Sequence, residues 1–396
     1  MSSEPITIGI DLSCLIPQPL TGVGYYTLHL FRALLASNAE LDVRLFASSA
    51  QTPPDIVLSL GKHCSRLRAV RWPTRLKNFL WTRLEWPPIE WFTGPIDVAH
   101  GAFHLLPATQ RARRMATVFD LSGLRYPDTH TTENLRHHSA LLRHAVSTAD
   151  ALIAISQSCK ADLVELLDAR EDRIHVVYGG IHLEEFGDPR DSFPSSTWER
   201  VALDTLRNQY GIRGDYLIHL GTIEPRKNLP RLLEAYARVR ARVRDCPCLV
   251  LAGQKGWKCD DVFETIARMK LTDKVIHTGY LPRSDAVCLL RGACACVYPS
   301  LYEGFGLPVL EAMAARIPVL TSNVSSLPEV LGDTGLLVAP EQVDAIEEGL
   351  MALLEHRDAA LQRIDAAYAR ATQFTWAKSA ESLAAVYRTV ARNAGP

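Results

Sequence analysis

The stretch that decides the fold is Ser300-Leu301-Tyr302-Glu303-Gly304-Phe305-Gly306-Leu307-Pro308-Val309-Leu310-Glu311-Ala312-Met313-Ala314. It follows the apolar run Ala295 to Tyr298, which reads as a strand, and it opens a helical pattern. Gly304 and Gly306 let the backbone turn tightly and approach a ligand, and Pro308 suits a first helical turn, where its missing N–H costs nothing. The free amides of that helix start form an anion site, and the helix dipole adds to it. Glu303 stands just before these amides and Glu311 about a turn and a half inside the helix. The two carboxylates can therefore touch different parts of one extended ligand, such as a phosphate between two hydroxyl-rich groups. On their own, two glycines at a helix start are a weak signal, and the glutamates could equally be a capping residue and a surface residue.

Outward from this segment, the alternation of short apolar runs with amphipathic stretches continues over the whole chain, as in strands joined by crossover helices in a parallel sheet. The fold class is α/β. Strands are expected at Ile6 to Ile10, Val43 to Ala47, Ile96 to His100, Ala116 to Phe119, Ala151 to Ile155 and Ile174 to Tyr178. A second series is expected at Tyr216 to Leu220, Cys248 to Ala252, Val275 to Thr278, Ala295 to Tyr298 and Val319 to Thr321. Between the two series the rhythm weakens, and Gly187 to Ser196 has the composition of an exposed linker. This gives a first domain over 1–185, a linker over 186–214, a second domain over 215–374 and a terminal helix over 375–396. Ligands of such sheets bind at the carboxyl ends of the strands, so a cleft between the domains is the expected active site.

Composition removes several function classes. Lys and Arg number 43 against 44 Asp and Glu, so no global field draws the chain to nucleic acid or an anionic surface. The nine cysteines hold no C-x-x-C pair; Cys294 and Cys296 recur at period 2, as small apolar residues on a buried strand do. A reduced, cytoplasmic location is expected, with no signal peptide at the start and no window of 18 apolar residues.

A second chemical stretch is Gly221-Thr222-Ile223-Glu224-Pro225-Arg226-Lys227-Asn228. Arg226 and Lys227 follow a strand's carboxyl end, where a bidentate guanidinium and a mobile ammonium can together neutralise a diphosphate. The plain alternative is a solvated basic pair, although positive charge at a helix start opposes the dipole. The sequence contains no D-x-D and no H-E-x-x-H spacing, so neither a metal nor any other cofactor is expected. Protein cations and helix amides must then do what a divalent ion does elsewhere.

With both stretches read, the sequence resembles the retaining glycosyltransferases of family 4, which have the two-domain GT-B fold. The likeness runs over nearly the whole chain: Thr21-Gly22-Val23-Gly24, Gly221 to Asn228, His277-Thr278-Gly279-Tyr280-Leu281, the E-x7-E pair Glu303 and Glu311, and Phe374-Thr375-Trp376. The resemblance implies two Rossmann-like domains facing across a cleft, with a terminal helix returning to the first. It implies that Glu303 contacts hydroxyls of a donor sugar and that Gly304, Phe305, Gly306 and Leu307 hold sugar and phosphate. Glu311 would bind the ribose, Arg226 and Lys227 the diphosphate, and the loop at Gly279 and Tyr280 the base. Gly221 belongs to the donor loop, and Gly22 and Gly24 would let the first domain's backbone approach the diphosphate. The implied substrates are a nucleotide diphosphate sugar, with mannose from GDP-mannose the preferred guess, and a glycan or lipid-linked acceptor, in polysaccharide or glycolipid synthesis. Another GT-B activity, such as an epimerase or phosphorylase, and a silent sugar-nucleotide-binding subunit stay open as alternatives.

Two features depart from that pattern or add to it. Many members carry His-Asp where this chain has Phe119-Asp120; Asp120 is retained as a sugar or acceptor contact, and His104 is the candidate to replace the histidine, although a core or loop histidine is the favoured reading of it. From Arg66 to Phe92, six Arg and Lys residues interleave with Trp72, Phe79, Trp81, Trp86, Trp91 and Phe92. Such a stretch suits peripheral contact with the inner face of a membrane. The small net charge and Pro87-Pro88 favour instead an internal helix with core tryptophans and solvated arginines.

Overall fold

The computed structural model describes residues 5–17, 19–37, 39–50, 54–187, 193–355 and 357–392. The polar stretch 188–192 of the expected linker lies outside them. The described chain divides into two compact units, 1–124 with 132–180 and 374–396, and 125–131 with 181–373.

The first unit holds a seven-stranded parallel sheet. Its strands are β1 (Ile6–Asp11), β2 (Leu41–Ser48), β3 (Arg66–Val70), β4 (Val98–Gly101), β5 (Arg113–Val118), β6 (Ala151–Ala154) and β7 (Ile174–Val176). Their order is β3-β2-β1-β4-β5-β6-β7. The direction of winding reverses between β1 and β4, with Ile8 opposite Val43 on one side and Val98 on the other. Such a reversal leaves a crevice outside the carboxyl ends of the two central strands. The helix Gly22–Ala36 buries Tyr26, Leu30 and Leu34, whose spacing of four puts them on one face.

The terminal helix Trp376–Arg392 belongs to this unit and packs along Gly22–Ala36. Tyr387 is fully buried with its hydroxyl 2.6 Å from His100 Nδ1, and Trp376 lies edge-on to Tyr26. Gly180 lets the helix start pass: a Cβ there would stand 2.4 Å from the Trp376 nitrogen.

The second unit repeats the plan with six parallel strands, β8 (Tyr216–Leu220), β9 (Cys248–Ala252), β10 (Val275–Gly279), β11 (Ala295–Tyr298), β12 (Val319–Ser322) and β13 (Leu336–Val338), ordered β10-β9-β8-β11-β12-β13. The reversal falls between β8 and β11. Behind the sheet a core of Leu, Val and Ile gathers around Leu232, Tyr236, Leu249, Val297 and Leu350. Cys296 is a buried residue of β11, and Cys294 precedes that strand. The segment 125–131 is held to this unit by Trp257 Nε1, which donates to the Thr129 carbonyl at 2.7 Å, and by Lys258.

Several segments differ from the sequence expectation, among them β13, a sixth strand where five were expected in the second sheet. Residues 186–214 carry a helix, Thr197–Tyr210, started by Ser196, whose side chain accepts from the Glu199 amide. The basic aromatic window is not one helix, because Arg66–Val70 is an edge strand paired with β2. Beyond Glu355 the chain forms two short helices, Arg357–Gln362 and Ile364–Ala371.

Candidate active site

In the second unit the loops after β8 and β11 meet at the reversal of winding. The first begins at Gly221, whose φ of 149° suits glycine and whose amide donates to the Ala252 carbonyl at 2.9 Å. It ends in a turn, Pro225–Lys227, closed by Asn228 in the left-handed region. Asn228 is buried, and its amide nitrogen donates to the carbonyls of Pro299 (3.0 Å) and Pro340 (2.7 Å). With the Leu301 amide donating to the Arg226 carbonyl at 2.9 Å, these bonds fasten the two loops to each other.

Two acids and two bases converge there. Arg226 Nη1 is 2.7 Å from Glu303 Oε2, Lys227 Nζ is 2.7 Å from Glu303 Oε1, and Arg226 Nη2 is 2.6 Å from Glu224 Oε1. Lys227 also donates to the Tyr298 hydroxyl at 2.6 Å, and Arg226 to the Tyr302 carbonyl at 2.7 Å. Glu224, Lys227 and Glu303 are all buried. Burial by itself pushes the Glu303 carboxyl up, but Arg226 and then Lys227 overcome it and hold it down at about 2. Glu303 is therefore ionised at any working pH, an acceptor of hydrogen bonds and too weak a base to take a proton from a hydroxyl. Lys227 is pulled down by burial and by Arg226, against the pull of Glu303 and Glu224. Behind it, His219 stacks on Tyr298 and is kept neutral, at about 4, by burial and then by Lys227.

The glutamate loop is shaped from beneath by serines that the sequence did not single out. Ser325 Oγ accepts from the Glu303 amide at 3.0 Å, and Ser326 Oγ donates to the carbonyls of Glu303 (2.9 Å) and Phe305 (2.8 Å). Gly304 and Phe305 are buried in this loop. Gly306, at φ 105°, caps the helix Leu307–Ala314 with no side-chain cap, so the helix start faces outward through backbone alone. Glu311 lies on that helix, buried, with its carboxyl raised by burial despite Arg283 Nη1 against Oε1. Arg283 also reaches Glu185 at 2.7 Å. It stands three residues after Tyr280, which is exposed just beyond Gly279 at φ 73°. The structure thus brings Arg226, Lys227, Glu303 and Gly221 together and joins Glu311 to the Tyr280 loop through Arg283. Glu224, Tyr298, Asn228, Ser326 and Arg283 are the members that sequence reasoning missed. Glu224 and Asn228 lay inside a quoted motif; Glu224 pairs with Arg226 of the same motif, while the carbonyls that Asn228 reaches belong to distant parts of the chain.

Gly22, Gly24, Asp120 and His104 lie in the first unit. Gly22 opens its helix, and a Cβ there would meet nothing within 4 Å; at Gly24 a Cβ would come 2.8 Å from Leu20. Of the two, only Gly24 is closely packed, against the Leu20 side chain. At the ends of β1 and β4, buried Lys77 donates to Asp11 Oδ2 and Ser13 Oγ, both at 2.7 Å. Asp120 follows β5 and accepts from the Ser122 amide (3.1 Å) and hydroxyl (2.7 Å). Phe119 is a core residue, edge-on to Tyr26. His104 is buried close by, its ring edge-on to Phe119 and its Nδ1 without a hydrogen-bond partner. Burial pushes it down to about 4, with Asp120 pulling the other way. Among the described residues no group of three or more His, Cys, Asp or Glu is placed to hold a metal ion.

The family described as "Glycosyl transferases group 1" matches residues 204–370, and "Glycosyltransferase Family 4" matches residues 20–185. The O-antigen chain mannosyltransferase B of Escherichia coli is 32% identical over 375 residues, covering 91% of this chain and 94% of that protein. Among solved structures, sucrose-phosphate synthase from Thermosynechococcus elongatus superposes with a TM-score of 0.74 at 19% identity, over 98% of this chain and 100% of the other. The Anabaena protein HepE, solved with UDP-glucose, gives 0.71 at 18% identity, over 97% and 100%. These two likenesses concern the fold, which is GT-B.

Proposed function

This chain belongs to the family 4 glycosyltransferases, and from that premise we propose that it moves mannose from GDP-mannose to a hydroxyl of a glycan or lipid-linked glycan, with retention at the anomeric carbon. The sugar is supported by the E. coli relative, a mannosyltransferase of O-antigen chains that matches this chain almost end to end. The single observation that carries the chemistry is the pairing of Glu303 with Arg226 and Lys227 at the winding reversal of the second sheet.

In this reading the bond from the anomeric carbon to the diphosphate oxygen breaks while a bond to the acceptor oxygen forms, and GDP leaves. Arg226 and Lys227 take up the charge that develops on the departing phosphate. Two of the three N–H groups of Lys227 are spent on Tyr298 and Glu303, which leaves the third for a phosphate oxygen. The start of the helix Leu307–Ala314 adds backbone donors and its dipole. Glu303 accepts hydrogen bonds from sugar hydroxyls, Glu311 from the ribose, and the base lies against Gly279 and Tyr280. No metal enters, because the cation pair is already fixed in place and has no reorganisation left to undergo. Since Glu303 is too weak a base, the acceptor's proton passes to the departing phosphate oxygen. Asp120 contacts a hydroxyl of the sugar or acceptor.

The test is transfer by the purified chain to a mannose-terminated acceptor, with GDP-mannose, UDP-glucose and ADP-glucose offered in parallel and the anomeric configuration read by NMR. Transfer of mannose from GDP-mannose alone, as the α-anomer, is expected. Transfer only from another donor, or a β-linked product, contradicts the proposal.

A further inference from the structure

The stretch from Thr74 to Trp91 is built inside out. The helical run Thr74–Phe79, continued by Leu80–Leu84, turns Lys77, Asn78 and Trp81 towards the core of the first unit. Its outer face carries Leu76, Phe79 and Leu84, which are 46%, 56% and 59% exposed, together with exposed Arg75 and Arg83. A helix on a water-facing surface ordinarily does the opposite, burying its apolar residues and exposing its lysines. Just beyond it, Trp86 and Trp91 are 49% and 58% exposed and lie edge to face with centroids 5.7 Å apart. Five of the twelve large exposed apolar side chains described fall between Leu76 and Trp91, a concentration rather than the usual scatter.

The charge on this stretch is predominantly positive. Its two acidic residues are engaged by the protein: Glu85 pairs with Arg114 at 3.1 Å, and Glu90 Oε1 accepts from the amides of Gln110, Arg111 and Ala112. Arg71, Arg75 and Arg83 remain exposed, and the ion pair of Arg75 with Glu133 is a solvated surface pair of little strength. Phenyl and leucyl groups flanked by indoles and guanidinium groups match the layered chemistry of an anionic bilayer, with tails beneath, ring edges at headgroup depth and phosphates outermost. No described helix is long and apolar enough to cross a membrane, so the contact this face can make is peripheral.

We infer that Leu76, Phe79, Leu84, Trp86 and Trp91, with Arg71, Arg75 and Arg83, form a docking face for the surface of an anionic lipid bilayer. This goes beyond the sugar-transfer reading and stands or falls apart from it, since the face shares no residue with the donor site.

The test is co-sedimentation of the full chain with vesicles of phosphatidylcholine alone or mixed with phosphatidylglycerol, for the native chain and a Phe79→Ser, Leu84→Ser, Trp91→Ser triple variant. All three positions are exposed, and circular dichroism checks that the variant folds. Binding to the phosphatidylglycerol vesicles at least tenfold stronger than to phosphatidylcholine is expected, weakened by salt. At least a tenfold loss is expected in the variant, with transfer to a soluble acceptor unchanged. Equal binding of variant and native chain overturns the inference, as does the absence of binding to either vesicle. A native dimer that the variant dissolves, without vesicle binding, also overturns it and makes the face a contact between copies.

Discussion

The two sheets reverse their winding in the same way, yet the two reversals are furnished differently. At β8 and β11 stand two acids and two bases, each carboxylate held by at least one cation and the loops fastened by Asn228 and Ser326. At β1 and β4 there is one buried pair, Lys77 with Asp11, and a neutral histidine, His104, with a free ring nitrogen. Shared topology therefore fixes where a ligand can sit, and local side chains decide which ligand. The charged, preorganised reversal suits a diphosphate. The other, with one spent ion pair and an imidazole, suits a neutral, hydroxyl-rich molecule.

The comparison can be broken first at its most buried charges. Lys77→Ala leaves Asp11 unpaired in the interior and should cost about 3–5 kcal/mol, read as a lower urea midpoint with unchanged slope. A cost below about 1 kcal/mol would make this pair no more than a surface contact.

The second test is acid. The Glu303 carboxyl lies at about 2 against an ordinary 4.5, so its pairing stabilises fully above about pH 4.5, and that stabilisation is lost as pH falls towards 2. About 3 kcal/mol should disappear over that window. Glu303→Gln should remove this pH dependence and lower stability at neutral pH, because it leaves Arg226 and Lys227 buried without their shared partner. An unchanged acid profile in that variant would place the acid-labile pair elsewhere.

The smallest effect is expected at His104. Removing a buried ring nitrogen that has no partner relieves a desolvation cost, so His104→Leu should change stability by about 1 kcal/mol or less in thermal or urea unfolding. A loss of several kcal/mol would show that the imidazole is held by the fold and is not waiting for a ligand.

Much of this was legible in the sequence. β8, β9 and β11 have the bounds that their apolar runs gave. Arg66–Val70 was missed because this short edge strand, with two arginines and no buried residue, offers only Leu67 and Ala69 as an alternating apolar pair. Thr197–Tyr210 was missed because it buries only Leu203 and Leu206, too few to show a period. At the site, Arg226, Lys227, Glu303 and Glu311 could be picked from motif spacing. Their mutual pairing could not, since Lys227 and Glu303 are 76 residues apart and Asn228 reaches a carbonyl 112 residues away. Nor did the sequence show that the basic aromatic window divides its tryptophans, with Trp81 in the core and Trp86 and Trp91 outside.

The central claim is that the cations after β8 hold the nucleotide's diphosphate. It is tested most directly by calorimetric titration of the native chain and Arg226→Ala with whichever of GDP, UDP and ADP binds, and with the corresponding nucleoside. The native chain should prefer the diphosphate over the nucleoside by at least two orders of magnitude, and Arg226→Ala should lose most of that preference while binding the nucleoside as before. An Arg226→Ala chain that folds and keeps the full preference for the diphosphate would contradict the account.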